Sequence, residues 1–177
     1  MKKKCIFLAV AYLLGLQGWS EESQPLISSV SLGAGLSYHD EISITRFAIR
    51  RDSQIQVLEN STGWLSGYYE GSMSYWYKAD DHVFNFALSP VFVYYFGKPD
   101  WTVQPYIEAG IGVSAISETK VADRDMSTGF QFEDRVGVGL RTTDLDLSLR
   151  YMHYSNASIA SPNDGIDIII VTVGYRF

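Results

Sequence analysis

Cys5 is the one cysteine in a chain of 177 residues. A disulfide framework, a thiol nucleophile and a cysteine-bound metal are therefore excluded from whatever the rest of the chain builds. Basic residues are also scarce: 14 lysines and arginines against 20 aspartates and glutamates give a net charge of −6. With no basic stripe to neutralise phosphates, a nucleic-acid partner is excluded. His39 and His82 stand alone near polar stretches and make no ligand spacing, so no metal site is expected. The G-x-S-x-G nucleophile elbow and any phosphate-binding glycine loop are missing. After residue 20 no apolar run is long enough for a membrane helix.

What is present begins with an export signal. Lys2, Lys3 and Lys4 precede an apolar run from Cys5 to Leu16, and Gly18 and Ser20 lead into Glu21 and Glu22. This layout predicts a secretory signal peptide over 1–20, cleaved near Ser20, and one domain over 21–177. Cys5 lies in the removed segment and is not set in a lipoprotein box. Taking three lysines from the 14 leaves 11 basic against 20 acidic residues, a net charge of −9.

From Ile27 onward one parity is apolar or aromatic and the other small or polar, in segments of strand length. That alternation is the signature of a membrane β-barrel. Val30, Leu32, Ala34, Leu36 and Tyr38 alternate with Ser29, Ser31, Gly33, Gly35 and Ser37, the small set suiting a crowded interior. A second segment, Ile42 to Arg50, carries Ile42 and Ile44 on one face and a shift of parity near Arg46, because Phe47 and Ile49 continue the stripe. A long polar connection, Asp52 to Gly63, follows. The third segment sets Leu65, Tyr69, Met73, Tyr75 and Tyr77 against Ser66, Glu70, Ser72 and Ser74. In the fourth, Phe84 to Phe96 share a parity that includes Pro90, whose missing donor requires an irregularity in the ladder. A fifth runs from Pro105 to Ala115 and a sixth from Thr128 to Arg141, with Asp134 interrupting its apolar stripe. Two more strands end the chain. The fold predicted is all-β: an eight-stranded antiparallel transmembrane barrel of the outer-membrane type, with Glu108, Arg135 and Arg141 as interior charges paired with one another and with interior tyrosines. Tyr175 and the terminal Phe177 resemble the C-terminal signature by which the outer-membrane assembly machinery reads such barrels.

The last two strands carry the chemistry. Leu145, Leu147, Leu149 and Tyr151 form a stripe that ends in His153 and Ser155; counting back from Phe177 by twos gives Tyr175, Val173, Val171, Ile169 and then Asp167. In an antiparallel hairpin centred near Ala160, opposed numbers sum to a constant, which sets His153 across from Asp167 and Ser155 across from Gly165. A nucleophile, a general base and the acid that orients the base thus share one face. Ten residues of tilted strand climb about 25 Å, so the trio lies at the outer interface, where a lipid-facing charge costs only about 0 to 1 kcal/mol. The substrate available there is the glycolipid of the outer leaflet.

In RYMHYSNASIASPNDGID the elements H-x-S-N, P-N-x-G and a following acid resemble the PagL family of outer-membrane lipid A deacylases, with looser similarity in QPYIEAGIGVS and GFQFEDRVGVGLR. The resemblance implies a serine esterase that removes the ester-linked 3-hydroxyacyl chain at the 3 position of lipid A, with Ser155 as nucleophile, His153 as base, Asp167 as acid and no cofactor. It further implies an oxyanion donor at Asn163, a backbone N–H at Ser158 as the second, and a supporting role for Asn156, a residue that equally reads as a turn closing the strand. Aspartate stands where the family's acid is often glutamate, and Ser158 where glycine is common. Other readings open at this point are a non-enzymatic barrel for adhesion or envelope stability, and an outer-membrane phospholipase or acyltransferase. Oligomeric state is left open, a homodimer included.

Overall fold

The computed structural model describes residues 25–177; the expected signal peptide and Cys5 lie outside the described residues. The strands, in chain order, are β1 (Ser29–Ser37), β2 (Ser43–Asp52), β3 (Val57–Asn60), β4 (Gly63–Lys78), β5 (Asp81–Phe96), β6 (Gln104–Ile116), β7 (Lys120–Val121), β8 (Arg124–Asp125), β9 (Phe130–Arg141), β10 (Leu145–Ser155) and β11 (Ile166–Arg176). All but β3, β7 and β8 form one antiparallel sheet in the order β2-β1-β11-β10-β9-β6-β5-β4, closed by pairing of β2 with β4. The sheet is an eight-stranded barrel with no free edge in its wall.

Alternation decides what each side sees. Leu32, Leu36, Met73, Leu88, Val138, Leu147, Val171 and Val173 point outward and are exposed, as the lipid-facing band of such a barrel must be. Aromatic residues gather at its two ends, Tyr75 with Tyr77 and Phe84 at one and Tyr175 with Phe177 at the other. The interior is filled in layers. Ile42, Ile44, Trp76, Met152, Tyr154, Ile166 and Ile168 close the end next to the site, and Trp64, Tyr68, Val93, Tyr95 and Tyr106 close the end near the termini. Small residues make room for this filling: a Cβ on Gly33 would come within 2.8 Å of the Ile170 side chain.

Between the apolar plugs lies a buried ionic layer in which Arg46, Arg50, Arg135 and Arg150 are balanced one for one by Glu70, Glu108, Glu133 and Asp146. Glu70 is its hub. It accepts from Arg46 Nη2 at 3.0 Å, Arg50 Nε at 3.0 Å and Arg135 Nη1 at 2.8 Å. Tyrosines complete it, Tyr68 donating to Glu108 at 2.7 Å and Tyr154 to Glu133 at 2.7 Å. Glu108 and Arg135 are thus interior, as the sequence predicts, but they do not pair with each other: Glu108 takes Arg150 and Tyr68, Arg135 takes Glu70 and Glu133, and Arg141 turns inward near the termini to Tyr95 and Asp52.

Two sequence expectations are corrected. Strand β2 has no parity shift, since its register with β1 and with β4 is continuous. Ile42 and Ile44 instead point inward with Arg46, because the outer end of the interior is apolar and the middle is charged. The long polar connection from Asp52 to Gly63, where the sequence predicts no strand, contains one: β3 folds back along β4, pairing Val57 with Leu65 and Asn60 with Gly63. Pro90 is accommodated by a gap in the β5–β6 ladder between Leu88 and Val91.

Replacing Glu70 by alanine takes one carboxylate partner from each of three buried guanidinium groups and leaves the layer with one more positive charge than negative, and the expected cost is about 3–5 kcal/mol. Urea unfolding of the purified barrel, followed by tryptophan fluorescence, checks this; a loss under about 1 kcal/mol would contradict the role of the layer.

Candidate active site

Strands β10 and β11 pair with the predicted register: His153 is opposite Asp167 and Tyr154 opposite Ile166. His153 and Asp167 both project from the lipid-facing surface at its outer end, keeping 36% and 31% of their side chains exposed. His153 Nδ1 lies 2.7 Å from Asp167 Oδ1. An Nδ1–H donated to the carboxylate leaves Nε2 as the basic nitrogen. The backbone holds the acid from its other side, where Tyr38 N–H donates to Asp167 O at 2.9 Å.

Ser155 ends β10 on the same face, two residues past His153. No hydrogen bond joins its hydroxyl to the imidazole in the described residues, and contact requires rotation of the two side chains across an i, i+2 spacing of about 6.6 Å. The structure therefore brings His153 and Asp167 together and leaves Ser155 beside them.

The loop after β10 is built around Asn156. Its N–H donates to Asn163 Oδ1 at 3.0 Å, and its buried side-chain amide donates to Met126 O at 2.9 Å. With its Oδ1 so engaged, Asn163 has its NH₂ end as the remaining donor. Ala157 and Ser158 follow with φ of 51° and 63°, and Ile159 N–H donates to Asn156 O at 3.0 Å. Successive left-handed residues inside a closed turn are the mark of type I′. Ser158 adopts the conformation that glycine would supply without strain, so its Cβ does not prevent the turn. Gly165 returns the chain to β11 at φ 61°, and a Cβ there would lie 3.1 Å from His153 Cε1.

A neighbouring hairpin clamps this loop. Strands β7 and β8 lie between β6 and β9, and Asp125 N–H donates to Asp164 Oδ2 at 2.7 Å while Arg124 Nη1 donates to Asp164 O at 3.0 Å and Ser127 Oγ to Pro162 O at 2.5 Å. Arg124 Nε is itself held by Asp40 at 2.6 Å. Hydrogen bonds from Lys120 and from Ser127 N–H hold the Asp125 carboxyl below the usual range, so the hairpin keeps its charge pair in mild acid.

Sequence reasoning did not place two residues that the structure brings to the site. Asp134, the break in the β9 stripe, lies in register with His153 on the side away from Asp167. Tyr151 donates to Asp167 Oδ1 at 2.5 Å. The signal for each was parity, which sets both on the face of His153. Next to them a lipid-facing groove of about 540 Å³ is lined by Phe92, Ala109, Ile111, Asp134, Val136 and Tyr151. Tyr151, Val136, Ala109 and Phe92 form one row across four strands, and the small Ala109 makes the dent.

A closed eight-stranded barrel with an apolar outer band is a barrel of the outer-membrane type, and this one carries a His–Asp pair at its rim. The chain belongs to the lipid A 3-O-deacylase (PagL) family, which matches residues 43–176. It is 34% identical to the lipid A deacylase PagL of Bordetella bronchiseptica over 99% of this chain and 97% of that protein. It is 43% identical to the lipid A deacylase PagL of Pseudomonas aeruginosa over 62% of this chain and 64% of that protein. A crystal structure of the outer membrane enzyme PagL superposes with a TM-score of 0.80 at 33% identity, covering 85% of this chain and all of that one. Neisserial surface protein A, with a TM-score of 0.53 at 16% identity over 85% of this chain and 94% of that one, shares the fold alone.

Gly165→Ala should displace the imidazole and lower deacylation by roughly tenfold to a hundredfold while the barrel stays folded. Lipid A mass spectrometry against heat-modifiable gel mobility checks this; full activity would contradict the close approach of Gly165 to His153.

Proposed function

We propose that this outer-membrane enzyme is a serine esterase that hydrolyses the 3-hydroxyacyl ester at the 3 position of lipid A with Ser155, His153 and Asp167 as its triad. The observation that carries the reading is the His153 Nδ1–Asp167 hydrogen bond on the lipid-facing surface, two residues from a serine on the same face. His153 Nε2 takes the proton of Ser155 Oγ as it attacks the ester carbonyl, and Asp167 stabilises the imidazolium that forms. The side-chain NH₂ of Asn163 and the Ser158 N–H donate to the oxyanion, and Asn156 supports the loop that presents them. The sugar hydroxyl leaves with the proton from His153. Water, deprotonated by the same nitrogen, then releases the fatty acid.

The groove beside the triad suits the departing chain. It is apolar, opens to lipid and begins at the row of His153, where Asp134 can accept a hydrogen bond from a hydroxyl near the ester carbonyl. In the same reading the signal peptide over 1–20 is removed on export, and Phe177, exposed beyond the end of β11, is read by the assembly machinery.

Lipid A from cells making the wild type should lose one hydroxyacyl unit by mass, and lipid A from cells making Ser155→Ala should not. A Ser155→Ala barrel that still deacylates would overturn the assignment; lysophospholipids instead of shortened lipid A would change the substrate. Asp134→Ala should slow cleavage of a hydroxyacyl ester about tenfold or more relative to the same ester without the hydroxyl, since a charged hydrogen bond contributes about 1.5–3 kcal/mol. Equal slowing of both esters would remove Asp134 from chain recognition.

A further inference from the structure

Tyr151 is placed by parity in an apolar stripe, where an interfacial tyrosine is ordinarily a membrane anchor. Its hydroxyl does something more specific. It donates to Asp167 Oδ1 at 2.5 Å, and His153 Nδ1 lies 2.7 Å from the same oxygen. Both donors come from β10, two residues apart, and the acceptor from β11; Tyr151 is in register with Ile169, which makes its contact with Asp167 a diagonal one that a long side chain can span.

We propose that Tyr151 is a positioning residue of the deacylation, fixing which oxygen of Asp167 faces His153 and tying that orientation to occupation of the acyl groove. This rests on the triad reading above. An aspartate has a short stem and a carboxylate that turns in a broad torsional well, so one hydrogen bond from the imidazole leaves the plane of the acid loosely defined. Two donors on one oxygen define it. Because Asp167 is partly exposed, the other oxygen would compete for interfacial water if the first were not held twice. The ring of Tyr151 is also a wall of the groove, in the row with Val136 and Ala109. An acyl chain lying there covers the O–H···O bond and strengthens it by excluding water, at the moment when the base must be aligned.

The test is steady-state deacylation of lipid A in mixed micelles by the folded full-length barrel, comparing wild type, Ser155→Ala, Tyr151→Phe, Asp167→Ala and the Tyr151→Phe, Asp167→Ala double variant. Phenylalanine keeps the groove wall, so kcat should fall about tenfold with KM within about twofold of wild type. In the Asp167→Ala background the same change should have no further effect, because the residue acts through the acid. An unchanged kcat in Tyr151→Phe, a change confined to KM, or an equal loss in the two backgrounds would overturn the proposal. The kcat-against-KM split in the single variant decides even if the double variant is too slow to time. Activity in Ser155→Ala would show that the triad reading itself has failed; an inactive Ser155→Ala with a fully active Tyr151→Phe would show that only the role of Tyr151 has.

Discussion

A slip of one residue in any barrel strand would carry its inward residues out to lipid and its apolar residues in. Here the inward set includes Arg46, Arg50, Arg135 and Arg150 with their carboxylate partners, so the slip is forbidden by charge as well as by shape. The ionic layer thereby fixes the register of β2, β4, β6, β9 and β10 at once. Its own stability is a matter of balance: the cost of dehydrating each guanidinium is offset only while each has a carboxylate within hydrogen-bonding reach. Everything at the rim inherits this registration.

His153 opposes Asp134 on one side because the ionic layer holds β10 against β9, and Asp167 on the other because the inward–outward alternation of β11 holds it in register with β10. Strand pairing positions these three side chains more firmly than a loop would. The proposed nucleophile and the proposed oxyanion donors sit where β10 gives way to its loop. There the β7–β8 hairpin supplies what the sheet no longer can, hydrogen bonds to Pro162 O, to Asp164 O and to the Asp164 carboxylate, and a buried contact at Met126. Turning the site toward lipid also settles its substrates by location, since only a molecule already in the leaflet can present an ester to it.

Much of this was legible in the sequence because a strand's period of two is simple to read. Eight segments, their faces, the interior position of Glu108 and Arg135 and the His153–Asp167 register all followed from parity and hairpin arithmetic. Parity failed at Ile42 and Ile44, where apolar residues face inward: a barrel interior that is apolar at its ends and charged in its middle gives no fixed link between hydrophobicity and side. It was silent on β3 and on the hairpin clamp, whose contacts join loops distant in sequence. Asp134 and Tyr151 sat on the correct face, yet the partner of each lies on a different strand, and only the assembled barrel sets the row of Asp167, His153 and Asp134 beside the groove.

The central claim is that Ser155 on the lipid-facing rim is the nucleophile. The most direct measurement is covalent trapping of the folded enzyme in lipid–detergent micelles with a long-chain alkyl phosphonate ester, followed by fragmentation mass spectrometry of the tryptic peptide from Tyr151 to Arg176. The account predicts one adduct, on Ser155, that disappears in His153→Ala. An adduct on Ser158, Ser161 or elsewhere in the chain, with Ser155 unmodified in an enzyme whose deacylation has been blocked, would contradict it.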